Sequence, residues 1–218
     1  MFSEARKNMV DGQIHTAGVV NPLLLKAFET VPRELFVPEK LKNVAYTDIN
    51  LDLGQGRYLI APIAFSRMLE FAAPKADDVV LDIASGGGYS SVILSSIVNT
   101  VISLEVNKRQ RDKAQRNMQA MDICNVVQVE EDIKKGAPEY APYSLIIING
   151  AVEEVPANIF DQLAVGGRLV TVVKESERNV GKATLFTKSD NGNISSKILF
   201  DAAVPNLDEF QKEDVFAL

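Results

Sequence analysis

Hydrophobic positions near the N-terminus recur at helical spacing. Val10, Ile14 and Val19, followed by Leu23, Leu24, Ala27, Phe28 and Val31, predict two helices within 4–31, separated at Asn21-Pro22. Asn21 offers a side-chain oxygen to the first free N–H groups of the second helix, and Pro22 brings a φ suited to its first turn. Through 32–62 Pro, Gly and Asp punctuate the chain, so an irregular cover is expected there rather than regular structure. A helical period returns after Pro62 through Phe65, Met68, Leu69 and Ala72, and it must stop before Pro74.

From residue 78 the pattern becomes short apolar runs alternating with helices. Val79-Val80-Leu81-Asp82-Ile83 leads into a glycine cluster and a helix over 89–98. Then come a strand over 101–104, a polar helix over 107–121, strands over 126–129 and 145–148, a helix over 156–163, and a strand over 168–173 entered through Gly166-Gly167. Fully apolar strands between helices imply a parallel sheet covered on both faces and wound right-handed. At the end, 183–187 and 194–200 flank Asn191-Gly192, the signature of an antiparallel hairpin. The expected fold class is therefore α/β: a doubly wound, mostly parallel, Rossmann-like sheet with a C-terminal antiparallel hairpin and an N-terminal helical cover. We expect 1–75 to be that cover, part of the same domain, and 76–218 to be the core.

Composition narrows the function. A chain of 218 residues suits one core better than two, and 46% hydrophobic with 24% charged residues is too apolar for a disordered chain. Lys plus Arg number 23 against 29 Asp plus Glu, a net charge of -6, which argues against a whole-surface grip on nucleic acid or anionic lipid. Cys124 and His15 are the sole residues of their kinds, so neither an internal disulfide nor a zinc site of the usual Cys/His sets is available. With no apolar stretch long enough to cross a bilayer, the expected location is a reducing cytoplasm, the expected state a monomer, and neither nucleic acid nor membrane an expected partner.

The chemistry concentrates in Leu81-Asp82-Ile83-Ala84-Ser85-Gly86-Gly87-Gly88-Tyr89, where the first parallel strand meets a helix. Glycines here let backbone approach a ligand, and a nucleoside-containing cofactor is the natural occupant. Glu105 ends the second strand roughly 20 residues on, where a carboxylate accepts from ribose hydroxyls. Asp132, beyond the third strand, is placed to accept from an adenine amino group while Ile133 packs on the ring. A P-loop is excluded because no Gly-Lys-Ser or Gly-Lys-Thr follows, and the dinucleotide fingerprint fits poorly, with Ala84 first and Tyr89 last. The Gly-x-Gly-x-Gly pattern of S-adenosylmethionine (SAM) methyltransferases matches at Gly86 and Gly88 and departs at Ala84, mildly so if Ala84 keeps a negative φ. The reading requires Glu105, Asp132 and the 86–88 backbone to converge on one adenosyl-sized cavity. Elsewhere His15 reads as an ordinary helix residue, Cys124 as a small buried residue, and Lys108, Arg109, Arg111, Lys113 and Arg116 as a solvated helix face without aromatic residues for base stacking.

Over nearly its whole length the chain resembles the protein-L-isoaspartate (D-aspartate) O-methyltransferases. The resemblance is carried by Met9-Val10-Asp11-Gly12-Gln13-Ile14, Val31-Pro32-Arg33-Glu34-Leu35-Phe36-Val37-Pro38, Gly54-Gln55-Gly56, the glycine turn through Tyr89, and Leu163-Ala164-Val165-Gly166-Gly167-Arg168-Leu169. It implies a SAM-dependent methyltransferase fold and methylation of isoaspartyl carboxylates in damaged proteins, with a protein or peptide as substrate. The implied cofactor residues are Asp82, Ala84, Ser85, Gly86, Gly88, Tyr89, Glu105, Asp132 and Ile133.

The departures fall at the acceptor side. In the family, Gly-x-Gly precedes a run resembling Gln-Thr-Ile-Ser-Gln-Pro, whose Ser hydroxyl lies near the reacting carboxylate; the equivalent here is Arg57-Tyr58-Leu59-Ile60-Ala61-Pro62. Ile60 stands at the Ser position, Tyr58 at Thr and Ala61 at Gln, and Ser144 replaces the usual Asp before the fourth strand. An acceptor carboxylate is already ionised and needs no general base. An apolar Ile60 beside it leaves lone pairs unpaired, worth about 1–3 kcal/mol and hence roughly a tenfold to hundredfold loss of rate. No catalytic residue is assigned; Tyr58 and Ser66 are the nearby hydroxyls. Two function classes follow: a carboxyl methyltransferase, or a catalytically silent relative that binds SAM or another nucleoside as a binding or regulatory module.

Overall fold

The computed structural model describes residues 1–174 and 180–211; the C-terminal part of the expected core, 212–218, lies outside the described residues. Helix α1 (Phe2–Met9) widens into a π turn over Val10–Ile14, and α2 (Pro22–Thr30) starts where expected, with the Asn21 side chain accepting from the Leu23 N–H at 2.9 Å. The segment expected to be irregular contains two short 3₁₀ turns and also a small antiparallel hairpin, β1 (Leu51–Gly54) with β2 (Arg57–Leu59). Its tight turn places Gly54, Gln55 and Gly56 at positive φ, and the Gln110 side chain holds it by donating to the carbonyls of Leu53 and Gly54. Helix α3 (Pro62–Ala72) ends in a left-handed Ala73 just before Pro74.

Alternation then builds the sheet: β3 (Val79–Ile83), α4 (Tyr89–Ser95), β4 (Thr100–Leu104), α5 (Lys108–Ala120), β5 (Val126–Val129), β6 (Tyr143–Val152), α6 (Ala157–Asp161), β7 (Leu163–Val173), β8 (Gly181–Lys188) and β9 (Ile194–Ala202). The seven strands lie in the order β5-β4-β3-β6-β7-β8-β9, parallel from β5 through β7 and antiparallel for β8 and β9. The fold is the expected mostly parallel α/β sheet with a closing antiparallel hairpin.

Even wholly apolar strands alternate faces. Val80, Val101, Leu145, Ile147 and Val170 pack with Phe28, Phe65, Tyr89 and Met118 on one side; Leu81, Ile102, Ile146, Ile148 and Leu169 pack with Ile133, Ile159, Leu207 and Phe210 on the other. The N-terminal cover thus shares a core with the sheet. Strand order reverses between β3 and β6, so the carboxyl ends of these strands form the crevice where ligands bind in open α/β sheets.

Candidate active site

Asp82, the glycine turn and Glu105 meet at that crevice, in a different state from the one expected. Asp82 near the end of β3 is fully buried and accepts from Ser90 Oγ at 2.7 Å, Ser91 Oγ at 2.5 Å and Asn149 Nδ2 of β6 at 2.6 Å. Burial pushes its carboxyl up to about 6; the Ser91, Asn149 and Ser90 hydrogen bonds work in the opposite direction. Asp82 therefore ties the glycine turn's helix to β6 across the reversal point. Asn149 also donates to the Ile83 carbonyl at 2.9 Å, while Ser85 Oγ accepts from Ser103 Oγ at the same distance.

The turn itself corrects one expectation. Ala84 has φ +56, in the left-handed region, as do Gly86 (+53) and Gly88 (+88). The strand-to-helix turn imposes this conformation on all three positions, and Ala84 bears its steric cost of roughly 1–2 kcal/mol. Nor are the glycines open toward a ligand. A Cβ at Gly86 would lie 3.3 Å from Leu53 Cδ1, and one at Gly88 would lie 2.9 Å from both Ala114 Cβ and Met118 Cε. Their missing side chains admit the β1–β2 hairpin and α5.

Glu105, just beyond β4, is 1% exposed and aims at the turn: its Oε2 accepts from the Gly86 N–H at 2.9 Å and its Oε1 from the Asn107 N–H at 2.9 Å. The Arg57 Nε donates to the same Oε2 at 2.8 Å. Three of about four acceptor positions of the carboxylate are thereby used. The other edge of the Arg57 guanidinium meets Glu209 in a fork, Nη2 to Oε1 at 2.8 Å and Nη1 to Oε2 at 3.3 Å. Burial is the largest single influence and would lower the Arg57 pKa and raise that of Glu209, but hydrogen bonds and charge attraction together outweigh it, from Glu209 and Glu105 on Arg57 and from Arg57 and a backbone N–H on Glu209, so Arg57 is raised and Glu209 lowered. Asp132 is exposed and accepts from the Lys134 N–H at 2.9 Å; Ile133 is buried in the same apolar cluster as Phe210.

On the acceptor side Ile60 is buried, and its carbonyl accepts from Arg33 Nη2 at 2.8 Å while Arg33 Nε holds the Ala45 carbonyl at 2.7 Å. The arginine of the Val-Pro-Arg-Glu-Leu-Phe-Val-Pro octet is thus a buried brace that sets the 57–62 segment in place. Tyr58, Ile60, Ala84, Ser85, Tyr89, Ser90 and Asn149, among others, enclose a cavity of about 20 Å³. Ser66 does not line it; its hydroxyl donates to the Ile63 carbonyl of its own helix at 3.2 Å. Such a volume holds a single water, whereas ligand pockets span about 300–1,000 Å³. Of the residues expected to hold an adenosyl group, Ala84, Ser85 and Tyr89 line this small cavity while Glu105, Asp132 and Ile133 do not, and Glu105 as it stands does not fit a ribose because Arg57 and the turn already occupy it.

Arg57 and Glu209 were not legible as a pair, being 152 residues apart. The one signal available was a cation in place of the family's Gln, close to a glycine turn served by carboxylates.

Comparison with known proteins decides the family. The profile of "Protein-L-isoaspartate(D-aspartate) O-methyltransferase (PCMT)" matches residues 4–207. The chain belongs to this family of O-methyltransferases. A protein-L-isoaspartate O-methyltransferase of Synechococcus sp. is 38% identical over 180 residues, 83% of this chain and 74% of that one; its counterpart in Methanospirillum hungatei is 37% identical, covering 84% of each. A solved protein-L-isoaspartate O-methyltransferase superposes with a TM-score of 0.80 at 26% identity, covering 92% of this chain, which spans 65% of that structure's length. A Plasmodium falciparum beta-aspartate methyltransferase, solved in complex with S-adenosyl-L-homocysteine, superposes at 0.79 with 20% identity, covering 94% of this chain and 98% of that one, and shares the fold. Among the described residues no helix is long and apolar enough to cross a membrane, and no cluster of His, Cys, Asp and Glu would hold a metal ion.

Proposed function

We propose that this protein is a SAM-dependent carboxyl O-methyltransferase whose acceptor is the carboxylate of an isoaspartyl residue in a protein or peptide. Family membership supports the reaction class. The observation that carries the reading to this chain's own residues is the hydrogen bond from the Gly86 N–H to Glu105, which makes the glycine turn and the strand-end acid one site. Asp132 and Ile133 follow at the next strand end, in the order a nucleoside requires.

The acceptor side suits a carboxylate that must be aligned and dried rather than deprotonated. Phe36, Leu53, Leu59, Ile60 and Phe65 supply the apolar wall, and Tyr58, Ser85, Ser90 and Asn149 are the polar groups facing it. Tyr58 is the side chain that replaces the missing hydroxyl in this reading, since Ser66 is turned to its own helix. The apolar Ile60 favours one second reading, a silent relative that keeps nucleoside binding without methyl transfer.

Transfer of a labelled methyl group from SAM to an isoaspartyl peptide, with the aspartyl twin as control, tests the proposal. A base-labile label on the isoaspartyl peptide alone is expected. An unlabelled peptide, under conditions where S-adenosylhomocysteine binds, would establish the silent relative instead.

A further inference from the structure

The side chains that close on Arg57 and on the Ala84–Ile133 cluster come from a segment that the family match does not wholly cover. It ends at residue 207, while Glu209 and Phe210 lie beyond it. Residues 205–207 run parallel to the end of β6: the Ala151 N–H donates to the Pro205 carbonyl and the Leu207 N–H to the Ala151 carbonyl, both at 2.8 Å. Gly150 makes room for this, because a Cβ there would lie 2.4 Å from Leu207 Cγ. Leu207 and Phe210 then enter the cluster that holds Ala84 and Ile133, and Glu209 closes on Arg57. The segment is thus attached by backbone pairing, by two apolar anchors and by a charged fork.

These attachments are unequal. The Arg57–Glu105 pair is dry on both sides, with both side chains 2% exposed or less, whereas Glu209 is 35% exposed. The outer half of the clamp, although a two-bond fork, is the half in contact with water, where solvent can take over both partners, and so it is the half that opens first. Once Glu209 leaves, Arg57 keeps one hydrogen bond to Glu105, and hydroxyl donors from a ribose can replace it there while the guanidinium regains water.

We propose that residues 205–211 are a built-in plug of the nucleoside site, latched by Glu209 on Arg57, and that Arg57 sets the affinity for an adenosyl ligand by competing for Glu105. This rests on the methyltransferase reading above. The apparent dissociation constant is then the intrinsic one divided by the fraction of molecules unlatched, so weakening the latch tightens binding with no new contact to the ligand.

Calorimetric titration of S-adenosylhomocysteine into the full chain, Glu209→Gln and Arg57→Gln tests this. Glu209→Gln is expected to bind about tenfold more tightly than the unaltered protein. Arg57→Gln shifts the same way with a lower melting temperature, since it leaves Glu105 buried without its cation. Should Arg57→Gln fail to fold, Glu209→Gln carries the test, with amide exchange as a second readout. The Leu207 amide is expected to exchange faster in Glu209→Gln without ligand, and faster in the unaltered protein once ligand is bound. Equal affinities for the unaltered protein and Glu209→Gln would overturn the plug while leaving the methyltransferase reading intact. Absence of binding by all three proteins at millimolar ligand would overturn both.

Discussion

At the scale of single residues, three positions carry measurable consequences. Ala84 holds a left-handed φ of +56 that a side chain opposes. Ala84→Gly is expected to raise stability by about 1 kcal/mol in urea denaturation, unlike most Ala-to-Gly changes, which lower it. Ile60 belongs to the buried core as well as to the acceptor wall. Ile60→Ser is expected to cost roughly 2–4 kcal/mol of stability while raising isoaspartyl methyl transfer about tenfold, by returning a hydroxyl to the acceptor carboxylate. Asp82 is surrounded by Ser90, Ser91 and Asn149, with the charge of Glu105 nearby, and burial raises its carboxyl to about 6. A folded-state value above the unfolded one, 3.8, means that the folded protein binds the extra proton between those values. The contribution of Asp82 to stability is therefore greatest below about pH 4 and declines as pH rises to about 6. Asp82→Asn should flatten that part of a stability-against-pH curve, and an unchanged slope would show that Asp82 titrates normally.

At the scale of elements, the glycine turn is a joint between β3, α4 and α5. Gly88 has φ +88 and Ala114 and Met118 against it, whereas Gly18 has φ +94 with nothing within 4 Å. Gly88→Ala is expected to cost about 2–4 kcal/mol and Gly18→Ala only about 1, because the first adds a clash with α5 to the same backbone penalty. Equal losses in urea denaturation would mean that α5 yields without cost. The elements differ in how far the sequence disclosed them. Runs such as Val79-Val80-Leu81 and Leu145-Ile146-Ile147 are legible as strands because both sheet faces are buried, leaving no polar position to interrupt them. The β1–β2 hairpin was hidden in Leu51-Asp52-Leu53-Gly54-Gln55-Gly56-Arg57, whose three- and four-residue strands lack periodicity of their own and are held from outside by Gln110.

At the scale of the whole molecule, the order of the strands decides which residues share a site. Glu105 could be placed at the crevice from the sequence because it directly follows an apolar strand after the glycine turn. The left-handed φ of Ala84 could not, since it is imposed by the turn and not by the residue. Nor could the role of Arg57, whose partner Glu209 arrives only when the chain returns past β9 to the end of β6. The crevice therefore carries two proposals in one sequence: a set of positions for a nucleoside, and a segment of the same chain that plugs them by closing on Arg57 and on the Ala84–Ile133 cluster. A crystal structure of the full chain grown with S-adenosylhomocysteine tests this most directly. Ribose hydroxyls are expected on Glu105, with Arg57 withdrawn from that carboxylate and residues 205–211 displaced from Gly150 and Ile133. Ligand bound with the Arg57 bridges to Glu105 and Glu209 both intact would contradict this expectation.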